Sequence, residues 1–299
     1  MPTTIAGAPA GGRDSFAFID LARLGRTDWW SGVKAFLRIL LWQVLVSIPL
    51  AIALIFWRHA LPPMFAEVAV LAGVTAGWLI GLSGAARKSL RRPLMSLVSP
   101  DLRLDFSRIA LGAGFWLGAN ILITMAMLLV YALAYPETLA RASGDFAWPS
   151  TEMLAAALLS IVLFPLQAAG EEMAFRGWMT QTLGQLLRRR WLVALVVAVA
   201  FALAHGSYHG LFALPLYIVM SLGLSALTLL DQRLELAIGA HAANNIFVVI
   251  ASLFLTAHSA RPTLFLNEVQ ATWSMSARAV VQFALIYAMA RWLLRRREA

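Results

Sequence analysis

The amino-acid sequence predicts an all-α protein, a polytopic transmembrane helix bundle of about eight spans with both termini in the cytoplasm. Three observations lead there. The chain is 61% hydrophobic and 13% charged, with a mean hydropathy of +0.76, whereas a soluble domain carries about 25% charged residues and roughly 45–50% apolar ones. Several apolar runs reach the roughly 20 residues that cross a bilayer as a helix; a transmembrane barrel would alternate polarity over segments of ~10 residues instead. The basic residues gather in short loops beside these runs, which is how membrane orientation is set.

Taken in order, residues 1–33 read as an N-terminal cytoplasmic leader and 34–299 as the transmembrane domain. Met1–Arg13 is rich in Ala, Gly, Pro and Thr, a composition that predicts disorder. The first 33 residues lack an apolar core followed by a small-residue cleavage site, so no cleavable signal peptide is expected. From Ser15 to Trp30, Phe16, Phe18, Ile19, Leu21, Leu24, Trp29 and Trp30 alternate with Asp20, Arg23, Arg26 and Asp28. That pattern fits an interfacial helix with its Trp pair at headgroup level, and equally an unstructured polar leader.

Eight hydrophobic segments follow, at about 36–57, 64–86, 108–134, 151–172, 191–207, 211–230, 235–256 and 275–294. Only Gly206-Ser207-Tyr208-His209-Gly210 separates the fifth from the sixth. Gly73, Gly77 and Gly81 recur every four residues in the second segment, and Gly114 and Gly118 repeat the spacing in the third. Small residues at that interval let helix backbones approach closely, so helix packing is the expected role of both sets.

Arg13, Arg23, Arg26 and Lys34 precede the first segment, and Arg87, Lys88, Arg91, Arg92, Arg103 and Arg108 lie between the second and third. Arg188, Arg189 and Arg190 follow the fourth, Arg233 the sixth, and Arg295, Arg296 and Arg297 the eighth. An even span count puts all of these on one side, against Arg58, Arg141, Arg261 and Arg278 on the other. The net charge of +9 is thereby accounted for by membrane orientation, with no nucleic-acid partner. There is no cysteine, which excludes disulfides and thiolate metal sites. The short loops and the Arg/Ala/Leu-rich style point to a bacterial inner (plasma) membrane.

Against this apolar background stand a few ionisable groups. Glu171, Glu172 and Arg176 lie in Ala-Gly-Glu-Glu-Met-Ala-Phe-Arg-Gly, His205 in Phe-Ala-Leu-Ala-His, and His241 and Asn245 in His-Ala-Ala-Asn-Asn. Ionisable groups inside a membrane are costly and by default mark a functional site. Glu172 and Arg176, four apart in the favourable order, share a helix face and pair as structural support. Glu171 points ~100° away and is left without that cation, placed to take a proton from water. Imidazole can donate, accept or bind metal, whereas Asn donates without titrating. Glu171 and His205 would then hold and activate water, while His241 and Asn245 stabilise a tetrahedral oxyanion.

Depth gives a partial check. Glu171 lies 17 residues before Arg188 and His205 lies 15 after Arg190, which places both ~23–26 Å from one turn at the helical rise. His241 is only eight residues past Arg233, ~12 Å by the same rise. That mismatch asks for tilt, a break near Gly239 or a looser turn at Asp231–Glu235. A straight helix over 151–187 would measure ~55 Å against a hydrocarbon core of ~30 Å, so part of 173–187 leaves the membrane or bends. Glu67, Gln43, Asn120 and Gln167 are assigned to packing, and His59, His209 and His258 to the surface.

Glu-Glu-x-x-x-Arg (171–176), Phe-x-x-x-His (201–205) and His-x-x-x-Asn (241–245), in that order on successive membrane helices, resemble the CPBP family. This family comprises the CAAX prenyl protease type II enzymes and the bacteriocin-processing and self-immunity proteins. The resemblance covers a motif core at about 150–250. It implies an intramembrane endopeptidase that cuts a peptide bond of a membrane-associated protein or peptide, with Glu171, His205, His241 and Asn245 as the catalytic set. Its eukaryotic relatives remove the last three residues of prenylated proteins. Members are often labelled metalloproteases, and a divalent metal such as zinc would take Glu171, His205 and His241. The zincin pattern His-Glu-x-x-His is absent, and a metal-free glutamate mechanism stands beside that reading. So does another class altogether: a non-catalytic binding or immunity protein, or a small transporter, using the same polar residues. Transporters often carry internal repeats, and none relates the two halves here.

Overall fold

The computed structural model describes residues 17–57, 60, 62–137, 148–187, 189–209, 213–255 and 273–298, and among these all regular structure is helical. Met1–Arg13, His59, His258 and the side chain of His209 lie outside the described residues. A short helix α1 (Ala17–Asp20) runs into a 3-10 turn (Leu21–Leu24). It is followed by α2 (Trp29–Trp57), α3 (Pro63–Gly84), α4 (Phe106–Ala134), α5 (Thr151–Glu172), α6 (Thr180–Leu187), α7 (Arg190–His209), α8 (Leu214–Asp231), α9 (Glu235–Leu255) and α10 (Trp273–Glu298). Two π-helical stretches, Ala85–Leu90 and Met173–Met179, extend α3 and α5. Seven helical runs are long and apolar enough to cross a membrane, and α7 supplies a shorter eighth, apolar over Arg190–His205. These are the eight hydrophobic segments of the sequence.

Local chemistry sets the ends. Asp105 accepts from the backbone N–H groups of Ser107 and Arg108 to start α4, and Ser150 accepts from Met153 to start α5. Pro63 occupies the first turn of α3, where its missing N–H costs nothing. Gln232, at φ 56°, turns the chain out of α8.

The glycine spacing holds for one helix pair and fails for the other. A Cβ on Gly77 would lie 2.6 Å from Gln43 Oε1, and one on Gly81 3.0 Å from Ile39 Cα, so α2 and α3 cross backbone to backbone. Gly114 and Gly118, by contrast, have nothing within 4 Å of such an atom. The buried face of α4 carries Gly112, Trp116, Ala119 and Asn120, and at ~100° per residue positions 114 and 118 fall on the opposite side. The close crossing of α4 is made by Gly112 against the Leu236 carbonyl, and reciprocally by Gly239 of α9 against the Ile109 carbonyl. A backbone neighbour cannot rotate away. Gly239→Val should therefore cost at least the ~1–3 kcal/mol of core overpacking, while Gly114→Val stays within about 0.5 kcal/mol. Thermal unfolding of the two variants in detergent checks the contrast.

Polar side chains stitch a layer across one end of the bundle. Phe18 N–H donates to Gln232 Oε1 (2.8 Å), Gln185 to the Ile19 carbonyl (3.1 Å) and Gln181 to the Ser96 carbonyl (2.9 Å). Arg92 donates to the Leu21 carbonyl (3.0 Å) and to Gln181 (2.7 Å), and burial pushes its guanidinium down to about 10. Phe18 and Ile19 are buried, so Ala17–Leu24 packs on protein, while Trp29 and Trp30 at the head of α2 remain 59% and 67% exposed, as suits a headgroup belt.

The same layer resolves the depth mismatch. The helix from Thr151 to Leu187 is continuous over 37 residues, and its last two turns lie in this layer. The Asp231–Glu235 turn is covered by it too: Leu234 N–H donates to the Val98 carbonyl (2.9 Å), Arg233 pairs with Asp101 and with Glu235, and Arg108 pairs with Asp231. Arg233 thus sits under protein and does not mark the bilayer surface, and α9 needs no break at Gly239. Two polar residues assigned to packing have partners. Asn120 accepts from Arg278 (2.7 Å), which lies within α10, and Gln43 donates to the Val74 carbonyl (3.4 Å).

Candidate functional site

Helices α5 and α9 run antiparallel, so the numbers of paired residues fall on one as they rise on the other: Glu172 meets His241, and one turn deeper Gln167 meets Asn245. Directly after Glu172 the chain widens into the π-helical stretch Met173–Met179, a local geometry common at functional sites. Glu172 and Arg176, both fully buried, form an ion pair of 3.0 Å across that junction. Arg176 also donates to Ser221 Oγ of α8 at 2.7 Å and lies 4.4 Å over the ring of Phe201 on α7. One guanidinium thereby ties α5, α7 and α8 together.

Glu172 Oε1 has a second partner, His241 Nδ1 at 2.7 Å. A carboxylate paired with Arg176 accepts, so Nδ1 of His241 donates to it and Nε2 is turned the other way. It lies 3.6 Å from Glu171 Oε2. His205 is oriented by a similar device within α7. Its Nδ1 lies 2.8 Å from the carbonyl of Phe201, one turn earlier, and donates to it. Its Nε2 therefore bears a lone pair and lies 3.9 Å from the same Glu171 Oε2. That oxygen is buried and makes no hydrogen bond among the described residues. A carboxylate oxygen thus faces two imidazole nitrogens, each just beyond hydrogen-bond reach.

Glu171, Glu172, Arg176, His205 and His241 are accordingly gathered at one level from three of the predicted spans. Asn245 lies one turn along α9 from His241. Its Nδ2 donates to Gln167 Oε1 (3.0 Å) and its Oδ1 accepts from Asn244 (3.1 Å), which holds both ends of the amide and leaves one N–H free. Gln167, assigned to packing from the sequence, belongs to this site; it stands four residues before Glu171, a spacing that would have revealed the shared face. Ser221 carries no such signal, being one of two serines on an apolar helix.

A divalent metal bound by Glu171, His205 and His241 would need the three donors to converge on one point at about 2.0–2.2 Å. Among the described residues no group of three or more His, Asp or Glu side chains is placed to hold a metal ion.

The type II CAAX prenyl endopeptidase Rce1-like family matches residues 153–247, the stretch that carries all three motifs and every group just described. The chain is also 27% identical over 190 residues to the uncharacterized protein YyaK of Bacillus subtilis (strain 168), an overlap of 61% of this chain and 58% of that protein. No solved structure matches it. Residues 153–247, with their paired glutamates and two histidines on neighbouring helices, are thus similar to the Rce1-like type II CAAX prenyl endopeptidases.

Proposed function

We propose that the protein is an intramembrane endopeptidase hydrolysing a peptide bond of a membrane-associated protein or peptide. The observation that carries this reading is Glu171 Oε2: buried, without a hydrogen bond, and facing Nε2 of both His205 and His241. Buried polar groups are nearly always satisfied, so this oxygen calls for a small polar partner, and water fits.

In this mechanism Glu171 takes a proton from a water also held by His205 Nε2, and the remaining hydroxide adds to the substrate carbonyl carbon. The oxyanion so formed accepts from Asn245 Nδ2 and from His241 Nε2. His241 donates when it carries both ring protons, and the Glu172 carboxylate and the oxyanion balance that charge while Glu171 holds the proton taken from water. As the C–N bond breaks, protonated Glu171 returns its proton to the leaving amine. Glu172 and Arg176 are positioning residues: Glu172 fixes the ring of His241, and Arg176 holds the Glu172 carboxylate in place.

Asn245→Ala should lower kcat by about 10²–10³-fold with KM little changed, the usual cost of one oxyanion donor. Gln167→Leu, which frees the Asn245 amide to rotate, should give a smaller loss of the same kind. The function itself is tested by reconstituting the protein in vesicles with a farnesylated CAAX peptide and with a single-span membrane protein, and reading new termini by mass spectrometry. Cleavage of either supports a peptidase. No cleavage, combined with solute flux through the same vesicles, would point to a transporter. The loop charges support cytoplasmic termini, and the composition supports a bacterial inner membrane.

A further inference from the structure

His205 is oriented by more than its backbone hydrogen bond. One face of its imidazole lies against Phe201, with ring centroids 4.3 Å apart and planes inclined by 34°. Tyr217 of α8 stacks on it as well, at 4.7 Å and 27°. Phe201 and Tyr217 are themselves 6.3 Å apart, so the three rings form one cluster drawn from two helices. Phe201 is held independently: Phe175 meets it edge-on at 5.1 Å and Arg176 covers it. Tyr217 is held through its own helix, because Ser221, one turn later on the same face, accepts from Arg176.

We propose that Tyr217 is a positioning residue of this centre, whose ring fixes the plane and tautomer of His205 so that the Nε2 lone pair faces Glu171. A single hydrogen bond from Nδ1 defines a direction and leaves the imidazole free to rock about it. Aromatic neighbours at offset-stacking distance remove that freedom. The side chain of His205 is 24% exposed, against 8% for Glu171 and 4% for His241, so it is the member of the trio with most room to move. Among the described residues, the charged and titratable groups around it are Glu171 from α5, His241 from α9 and, beyond Phe201, Arg176. None of them constrains the ring plane. This inference rests on the hydrolytic reading for its consequence in catalysis, but its structural content stands apart from it.

The test uses full-length protein labelled with ¹⁵N-histidine in detergent, with His205 assigned through His205→Gln. Two-bond ¹H–¹⁵N spectra report which ring nitrogen bears hydrogen. Wild type and Tyr217→Phe should show His205 in one tautomer, protonated at Nδ1, and Tyr217→Leu should show averaged tautomers. Unchanged His205 signals in Tyr217→Leu would overturn the proposal, as would equal disturbance in Tyr217→Phe, because the hydroxyl and not the ring would then be responsible. In a cleavage assay Tyr217→Leu should lose more than tenfold in kcat with KM within about twofold, and Tyr217→Phe should restore at least a third of the wild-type kcat. Wild type that cleaves nothing would refute the hydrolase while leaving the spectra to decide the role of Tyr217.

Discussion

Glu171→Gln is expected to lower peptide hydrolysis by at least about 10³-fold and to leave the protein folded. General base catalysis contributes typically 10²–10⁴-fold, and here the same group also returns the proton to the leaving amine, so both halves of the reaction lose it. The amide is nearly isosteric, and Glu171 Oε2 makes no hydrogen bond that folding depends on. Glu171 thus differs from its neighbour Glu172, which holds both Arg176 and His241. Comparing kcat with thermal unfolding separates the cases: Glu171→Gln should change only the first, and Glu172→Gln both.

Arg176→Ala is the second large effect, and it acts on stability. The guanidinium is fully buried and partners Glu172, Ser221 and the Phe201 ring. Removing it strands the equally buried Glu172 carboxylate, and breaking such a pair costs about 3–5 kcal/mol. A surface pair would be worth far less, so burial decides the size of the effect. The double variant Glu172→Leu/Arg176→Met should recover part of that loss, since no unpaired charge remains. Activity should not return, because His241 has then lost the acceptor that aims its ring. Denaturation in detergent and a cleavage assay on the same preparations would show recovery of one without the other.

The membrane explains why so much of this was legible. A bilayer fixes the length of each spanning helix, so eight segments could be read from composition alone; apart from the start of α2, which lies seven residues earlier at Trp29, their ends agree with the helices to within about four residues. Any charge inside such a segment stands out, and this is how Glu171, Glu172, Arg176, His205 and His241 were singled out. What the sequence hid has a common cause, since spacing gives the face of a helix and not its neighbour. Gly114 and Gly118 have the interval of a packing motif on a face with nothing opposite, and Gly112 and Gly239, with no such interval, make the close crossing. Arg233 looks like a membrane-surface marker until the 98–105 segment is seen covering it. Asn120 and Ser221 are uncharged, and nothing in a linear chain says that each meets an arginine. Tyr217 is hidden for the same reason, as an aromatic residue on an apolar helix.

The central claim is that the buried Glu171 Oε2 and the Nε2 of His205 hold a water molecule between them, beside His241. Crystals of the wild-type protein, measured at high resolution and again across the zinc absorption edge, test it most directly. The account predicts a solvent peak within about 3.2 Å of both Glu171 Oε2 and His205 Nε2, with no anomalous signal at that position. An anomalous zinc peak coordinated by Glu171, His205 and His241 would contradict it, and so would a map in which His205 turns away from Glu171.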